Sequence, residues 1–119
     1  MLPWKTIDSR YLLKRPWLNL REDHVQLPNG TEMEEFYVIE YPAWAAVLCL
    51  TEDGQVVMVE QYRHGIQQVT LELPAGVIDQ GERPLLAARR ELLEETGYVA
   101  EEWISLGHCA PNPSKHTNF

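Results

Sequence analysis

The chain contains no apolar run approaching the roughly 20 residues of a membrane-spanning helix. Its opening, MLPWKTIDSR, lacks the apolar core of a secretory signal. Cysteine is scarce. Cys49 lies in an apolar stretch and Cys109 near a loop, and no C-x-x-C spacing points to zinc or redox chemistry. Two free thiols in a reducing cytoplasm are therefore expected, rather than a disulfide. Positive charge is also short, and the formal net charge is −8. That balance argues against a nucleic-acid backbone or an anionic membrane as partner, and suits a protein that concentrates cations. Repeats and low-complexity tracts are absent too. What remains is 119 residues, 45% hydrophobic and 24% charged, the make-up of one globular domain with a modest core.

Residues 1–23 read as a loosely defined lead-in with one strand near Arg10–Lys14. Strand-like runs at His24–Leu27 and Glu34–Glu40 flank Pro28-Asn29-Gly30, a hairpin turn signal. Trp44–Leu50 is nearly continuous in apolar residues, as in a strand covered on both faces. Gln55–Tyr62 and Val69–Leu73 alternate, and Trp103–Cys109 reads as a further short strand. Between them, Pro84 suits the first turn of a helix and Gly97 its left-handed end, which predicts a helix over about residues 83–96. Strands, a helix, then more strand imply an α+β protein with a mixed sheet.

The stretch Gly76–Tyr98, GVIDQGERPLLAARRELLEETGY, carries the chemistry. On a helical wheel of about 100° per residue, Glu91, Glu94 and Glu95 fall on one side, with Ala87 between them. Leu85, Leu86, Leu92 and Leu93 fall roughly opposite and predict a buried leucine face. Glu82 precedes the helix, and Arg90 stands four residues before Glu94. Like charges this dense repel unless a cation gathers them, although a solvated acidic face is the commoner meaning of such a pattern.

Gly76, five residues, Glu82, seven residues and then Arg90-Glu91-Leu92-Leu93-Glu94-Glu95-Thr96-Gly97-Tyr98 resembles the Nudix box, GX5EX7REUXEEXGU, at its fixed positions. Tyr98 stands where an aliphatic residue is commoner. The resemblance implies a Nudix fold, a mixed β-sheet packed by helices in an α/β/α sandwich. It also implies hydrolysis of a nucleoside diphosphate linked to another moiety, dependent on Mg2+ or Mn2+. By position in the motif, Glu91 and Glu95 would be the principal metal ligands, joined by Glu82, Glu94 and the carbonyl of Ala75. Arg90 would orient a box glutamate.

Outside the box, Glu60-Gln61-Tyr62-Arg63 and Leu71-Glu72-Leu73-Pro74-Ala75-Gly76 resemble the ADP-ribose pyrophosphatases, as does Pro113, fifteen residues after Tyr98. The resemblance implies that Arg63 and Glu72 contact the diphosphate and ribose of a nucleotide sugar. It implies a homodimer paired through the N-terminal strands, residues 1–40, with a catalytic core over residues 41–119. An aromatic residue from the N-terminal region would stack on adenine, with Trp17, Phe36, Tyr37, Tyr41 and Trp44 as candidates. His64 could reach a phosphate but reads more simply as an exposed histidine. The catalytic base of such enzymes often comes from a loop glutamate well after the box. Here that loop would lie beyond Phe119, so the chain reads as a fragment lacking its C-terminal part, with Glu94 as the fallback base. The alternatives are a GDP- or UDP-sugar substrate, or a domain that binds nucleotide without cleaving it.

Overall fold

A computed structural model describes residues 2–119, which form seven strands and one helix. The chain divides into two compact units: one runs to Pro42 and takes in His108–Phe119, and the other is Ala43–Gly107.

The first unit is an antiparallel sheet of β1 (Lys5–Arg15), β2 (Leu18–Gln26) and β3 (Glu32–Glu40), with β1 at an edge. The lead-in is thus far more ordered than its composition suggests. β1 is eleven residues long and returns into β2 directly after Pro16-Trp17. The Asn-Gly signal holds, with Gly30 at φ 85° and its N–H bonded to the Leu27 carbonyl at 2.9 Å. What locks this sheet is polar. Asp23, only 4% exposed, accepts hydrogen bonds from Ser9 Oγ at 2.5 Å and Arg21 Nε at 2.8 Å, while Arg21 also pairs with Glu40. Burial pushes the Asp23 carboxyl up, but the bonds from Arg21 and Ser9 outweigh it and hold the group below its ordinary value. His116 adds an isolated parallel bridge to Ile39.

In the second unit, β4 (Trp44–Ala46) pairs with β7 (Ala75–Val77), and β5 (Val59–Arg63) pairs with β6 (Gln68–Glu72), both antiparallel. Helix α1 (Pro84–Thr96) packs on β4 and β7. It begins with Pro84 and ends at Gly97, whose φ of 75° and N–H to the Leu93 carbonyl close the last turn. A small core gathers Val47, Cys49 and Leu92, with Val57, Ala88, Ala100 and Trp103 against it.

Three expectations change. Trp44–Leu50 is covered on one face only: Ala45, Val47 and Cys49 are buried while Leu48 and Leu50 are exposed, and regular strand is confined to β4. No described element covers the second face. Residues 103–109 form no strand. The leucine face of α1 is largely open, since Leu85, Leu86 and Leu93 are exposed and only Leu92 and Ala87 are fully buried. The helix instead brings Glu91 to Gly76 of β7, while Ala87 is fully buried and Ala88 packs with Leu92 on the Val47–Cys49 core.

Asp23→Ala removes the buried partner of Arg21 and should cost about 2–3 kcal/mol in urea unfolding. Because the Asp23 pKa is depressed, that stabilisation is present above 3.8 and is lost as pH falls through the lower folded value. A cost below about 0.5 kcal/mol, the level of a neutral surface change, would show that the network is not holding the sheet.

Candidate functional site

The sequence between β7 and α1 brings the box acids to one end of the second unit. Gly76 is buried on β7, opposite Ala45 of β4. A Cβ built on Gly76 would fall inside the Glu91 carboxylate. Glycine is therefore required by close approach: the absent side chain is the space that Glu91 occupies. Across the same gap, Glu95 accepts the Ala75 N–H at 3.0 Å. Two glutamates of the helix thus meet two consecutive residues of β7.

Arg90 ties the remaining charges together. Its Nε and Nη2 donate to Glu82 at 3.1 and 2.9 Å, its Nη1 to Glu91 at 2.5 Å, and its Nη2 also to the Val77 carbonyl at 2.9 Å. Glu94, the partner expected from helical spacing, is more remote at 3.6 Å and more exposed. Glu82 further accepts the Asp79 N–H at 3.0 Å, closing the loop before the helix. Hydrogen bonds from Arg90 and then from Asp79 hold the Glu82 carboxyl below its ordinary value, and its carboxylate partners Glu82 and Glu91 push Arg90 up.

Arg63 and Glu72 form the second cluster. Arg63 Nε and Nη2 grip the two carboxylate oxygens of Glu72 at 2.9 and 2.5 Å, and the Thr70 hydroxyl bonds Glu72 at 2.5 Å. These bonds, first from Arg63 and then from Thr70, lower the Glu72 pKa from 4.5 to about 2. Glu72 is therefore ionised through the neutral range and does not serve as a base. The charge of Glu95 also favours the Arg63 cation, so the pair lies within electrostatic reach of the box. Thr70 has no distinguishing signal in the sequence beyond lying two residues before Glu72 on the same strand face.

The other singled-out residues are dispersed. Pro113 belongs to the first unit, in the turn before the His116 bridge. Phe36 meets Trp4 edge-to-face at 5.6 Å, Tyr41 meets His116 at 5.2 Å, and Tyr37 donates to Glu35. Trp17 is 77% exposed. Trp44 lies against the Arg63 guanidinium, 5.9 Å from ring centroid to Cζ. His64 stands beside the Tyr62 ring at 6.1 Å. Cys49 and Cys109 are both free.

Among the described residues no three His, Cys, Asp or Glu side chains converge as a ready metal cluster. Glu82 and Glu91 point at Arg90, and Glu95 points at a backbone N–H. The donor set nevertheless suits a hard divalent cation, since every nearby side-chain donor is a carboxylate oxygen and the Gly76 cradle holds one of them at the backbone.

Comparison with known proteins gives this geometry a family. A model described as the NUDIX domain matches residues 40–118, and one described as a nucleoside diphosphate sugar hydrolase N-terminal domain matches residues 4–39. The chain is 37% identical over 98 residues to an ADP-ribose pyrophosphatase of Bacillus subtilis (strain 168), covering 82% of this chain and 52% of that protein. It is 39% identical over 102 residues to a methanol dehydrogenase activator of Bacillus methanolicus, covering 84% and 55%. The chain thus spans about half the length of the curated relatives it matches. A crystal structure of an ADP compounds hydrolase shares the fold, with a TM-score of 0.86 at 20% identity over 99% of this chain and 64% of that one. With the box acids assembled around Arg90 and the domain model spanning residues 40–118, this chain belongs to the Nudix family.

Proposed function

We propose that the protein hydrolyses the diphosphate bond of ADP-ribose or a related ADP-sugar, releasing AMP and a sugar phosphate. The observation that carries this reading is the pairing of two clusters in one unit: box acids gathered at Gly76 and Arg90, and the Arg63–Glu72 pair within electrostatic reach of Glu95. Relatives named as ADP-ribose pyrophosphatases support the substrate class.

In this reading Glu91 and Glu95, with Glu82 and the Ala75 carbonyl, would hold a divalent ion, Mg2+ or Mn2+, and Glu94 is kept for the proton. When bound, such an ion neutralises phosphate oxygens and favours attack by water. Arg90 acts as a positioning residue, keeping Glu82 and Glu91 in one orientation. Arg63 has two of its five N–H groups on Glu72, and its Nη1 edge has no partner among the described residues, so that edge is available to the diphosphate. Glu72 would in turn touch the ribose. Pro113, which lies in the other unit, is retained only as a candidate substrate contact on the family pattern. Glu94 is 61% exposed in its side chain and only loosely tied to Arg90, which leaves it free to take the proton of the attacking water. The water oxygen bonds to phosphorus, the bridging P–O bond breaks, and the leaving sugar phosphate departs.

The first unit would pair two subunits into a homodimer. β1 is an edge strand, and Trp4, Ile7, Tyr11 and Leu12 on it or beside it are exposed, a surface that favours pairing. A cytoplasmic location fits the two free thiols, and no helix is long and apolar enough to cross a membrane.

Incubating the full-length protein with ADP-ribose and Mg2+ should yield AMP and ribose 5-phosphate. Turnover of a GDP- or UDP-sugar with none of ADP-ribose would move the substrate, and binding without product would indicate a non-catalytic domain. Glu95→Gln should lower kcat at least about a hundredfold with an unchanged melting temperature, a loss of roughly 2.7 kcal/mol in transition-state stabilisation. A retained rate would remove Glu95 from the metal site. Gly76→Ala displaces the Glu91 carboxylate rather than the backbone, so activity should fall at least about tenfold with little loss of secondary structure by circular dichroism. Wild-type activity in Gly76→Ala would mean that the position of Glu91 is unimportant.

A further inference from the structure

The Arg63 side chain is held in an unusual way for a strand residue. In the β5–β6 ladder Arg63 pairs with Gln68, while Glu72 pairs with Val59 at the other end. The guanidinium therefore reaches back along the shared face, past Thr70, to grip Glu72. An arginine laid out over this length gives up most of its rotamer freedom. Its two parallel hydrogen bonds align one edge of the guanidinium with the Glu72 carboxylate but leave the group able to rock about that edge.

Trp44 flanks this guanidinium from the side. This residue stands on β4 opposite Val77 of the box strand, and its ring lies 5.9 Å from Arg63 Cζ. Trp44 is 42% exposed, so its ring is not filling a core. The core of this unit is built from Val47, Cys49 and Leu92, and Trp44 has no place in it. An aromatic face beside a guanidinium attracts it electrostatically. A tryptophan is the strongest such platform among the side chains.

We propose that Trp44 is a positioning residue for Arg63: its ring holds the guanidinium in the plane in which Glu72 grips it, presenting the unpaired Nη1 edge to an anionic substrate. The proposal rests on the reading of Arg63 as a diphosphate contact.

The test is a double-mutant cycle on the full-length protein, read by steady-state kinetics with ADP-ribose and Mg2+. Trp44→Leu should raise KM about threefold to tenfold, the size of a partly exposed cation–π contact, with kcat within about twofold. Trp44→Phe, which keeps an aromatic face, should recover most of the affinity. In an Arg63→Lys background, where the planar guanidinium is gone, Trp44→Leu should add less than about twofold. An equal KM increase with or without Arg63 would overturn the proposal and make Trp44 a direct substrate contact. Equal values for the Leu and Phe variants would overturn it as well. Wild-type protein inactive on ADP-ribose but active on another nucleotide sugar overturns the substrate reading alone. The same cycle on that sugar then decides Trp44 by the same criteria.

Discussion

Glu82, Glu91, Glu94 and Glu95 crowd one helix and its approach, and a single cation of the chain, Arg90, makes the arrangement tolerable. Two unit charges about 4 Å apart at a protein surface interact by roughly 4 kcal/mol, so uncompensated acids at this density would drive the loop away from the helix. Arg90 prevents that with a planar fork that satisfies Glu82, Glu91 and the Val77 carbonyl at once. A lysine carries its three donors on one nitrogen and could not span acceptors that Arg90 meets with three separate nitrogens. Everything else in the second unit follows from letting Arg90 and Glu91 sit where they do. Gly76 has no side chain because Glu91 fills that place, and Ala87, on the same side of the helix as Glu91, is fully buried.

The same constraint explains the hydrophobic packing. A helix chosen for its leucines would bury Leu85, Leu86 and Leu93; this one leaves them open and buries Leu92 and Ala87, with most of the Glu91 side chain. Burial of Glu91 is affordable only because its carboxylate is engaged by Arg90 as it leaves water. The described core is correspondingly small, and much of the local order in both units comes from charged hydrogen-bonded pairs. Asp23 with Arg21 plays in the first unit the part that Glu91 with Arg90 plays in the second.

The geometry of the candidate site around Gly76, Glu82, Arg90 and Glu91 was legible in the sequence because spacing encodes it. Gly76, Glu82, Arg90, Glu91, Glu94 and Glu95 stand at fixed intervals, and a helix with its entry loop turns such intervals into proximity. Helix limits were legible for the same reason, through Pro84 and Gly97. What spacing could not give is which side of a helix faces inward when both sides offer a reason. Hydrophobicity favours the leucines, whereas the glycine at position 76 makes room for Glu91, and the structure buries Leu92 and Ala87 while it leaves the other three leucines open. Strand limits failed where burial is one-sided: the apolar run Trp44–Leu50 reads as doubly covered although its alternate residues face out. The long edge strand β1 was hidden because its residues are charged and aromatic in no simple alternation, and its stability comes from pairing with β2 rather than from burial.

On the proposed function, charge decides how the two clusters divide the work. The Arg63–Glu72 pair is neutral, and Arg90 offsets one of the four box acids, which leaves a surplus of three negative charges where a diphosphate would approach. An anion is repelled from such a place unless cations arrive with it. One divalent ion reduces the surplus without abolishing it, so binding of the diphosphate still needs a positive edge not consumed by the box. Arg90 cannot supply that edge, because its fork is spent on Glu82 and Glu91. Arg63 can, since Glu72 takes only its Nε and one Nη2 hydrogen. The two arginines are therefore not equivalent. In the proposed reaction one would hold the acids that face the metal, the other would be held by an acid so that it faces the substrate, and a site with either role reversed would lose its cation or its anion.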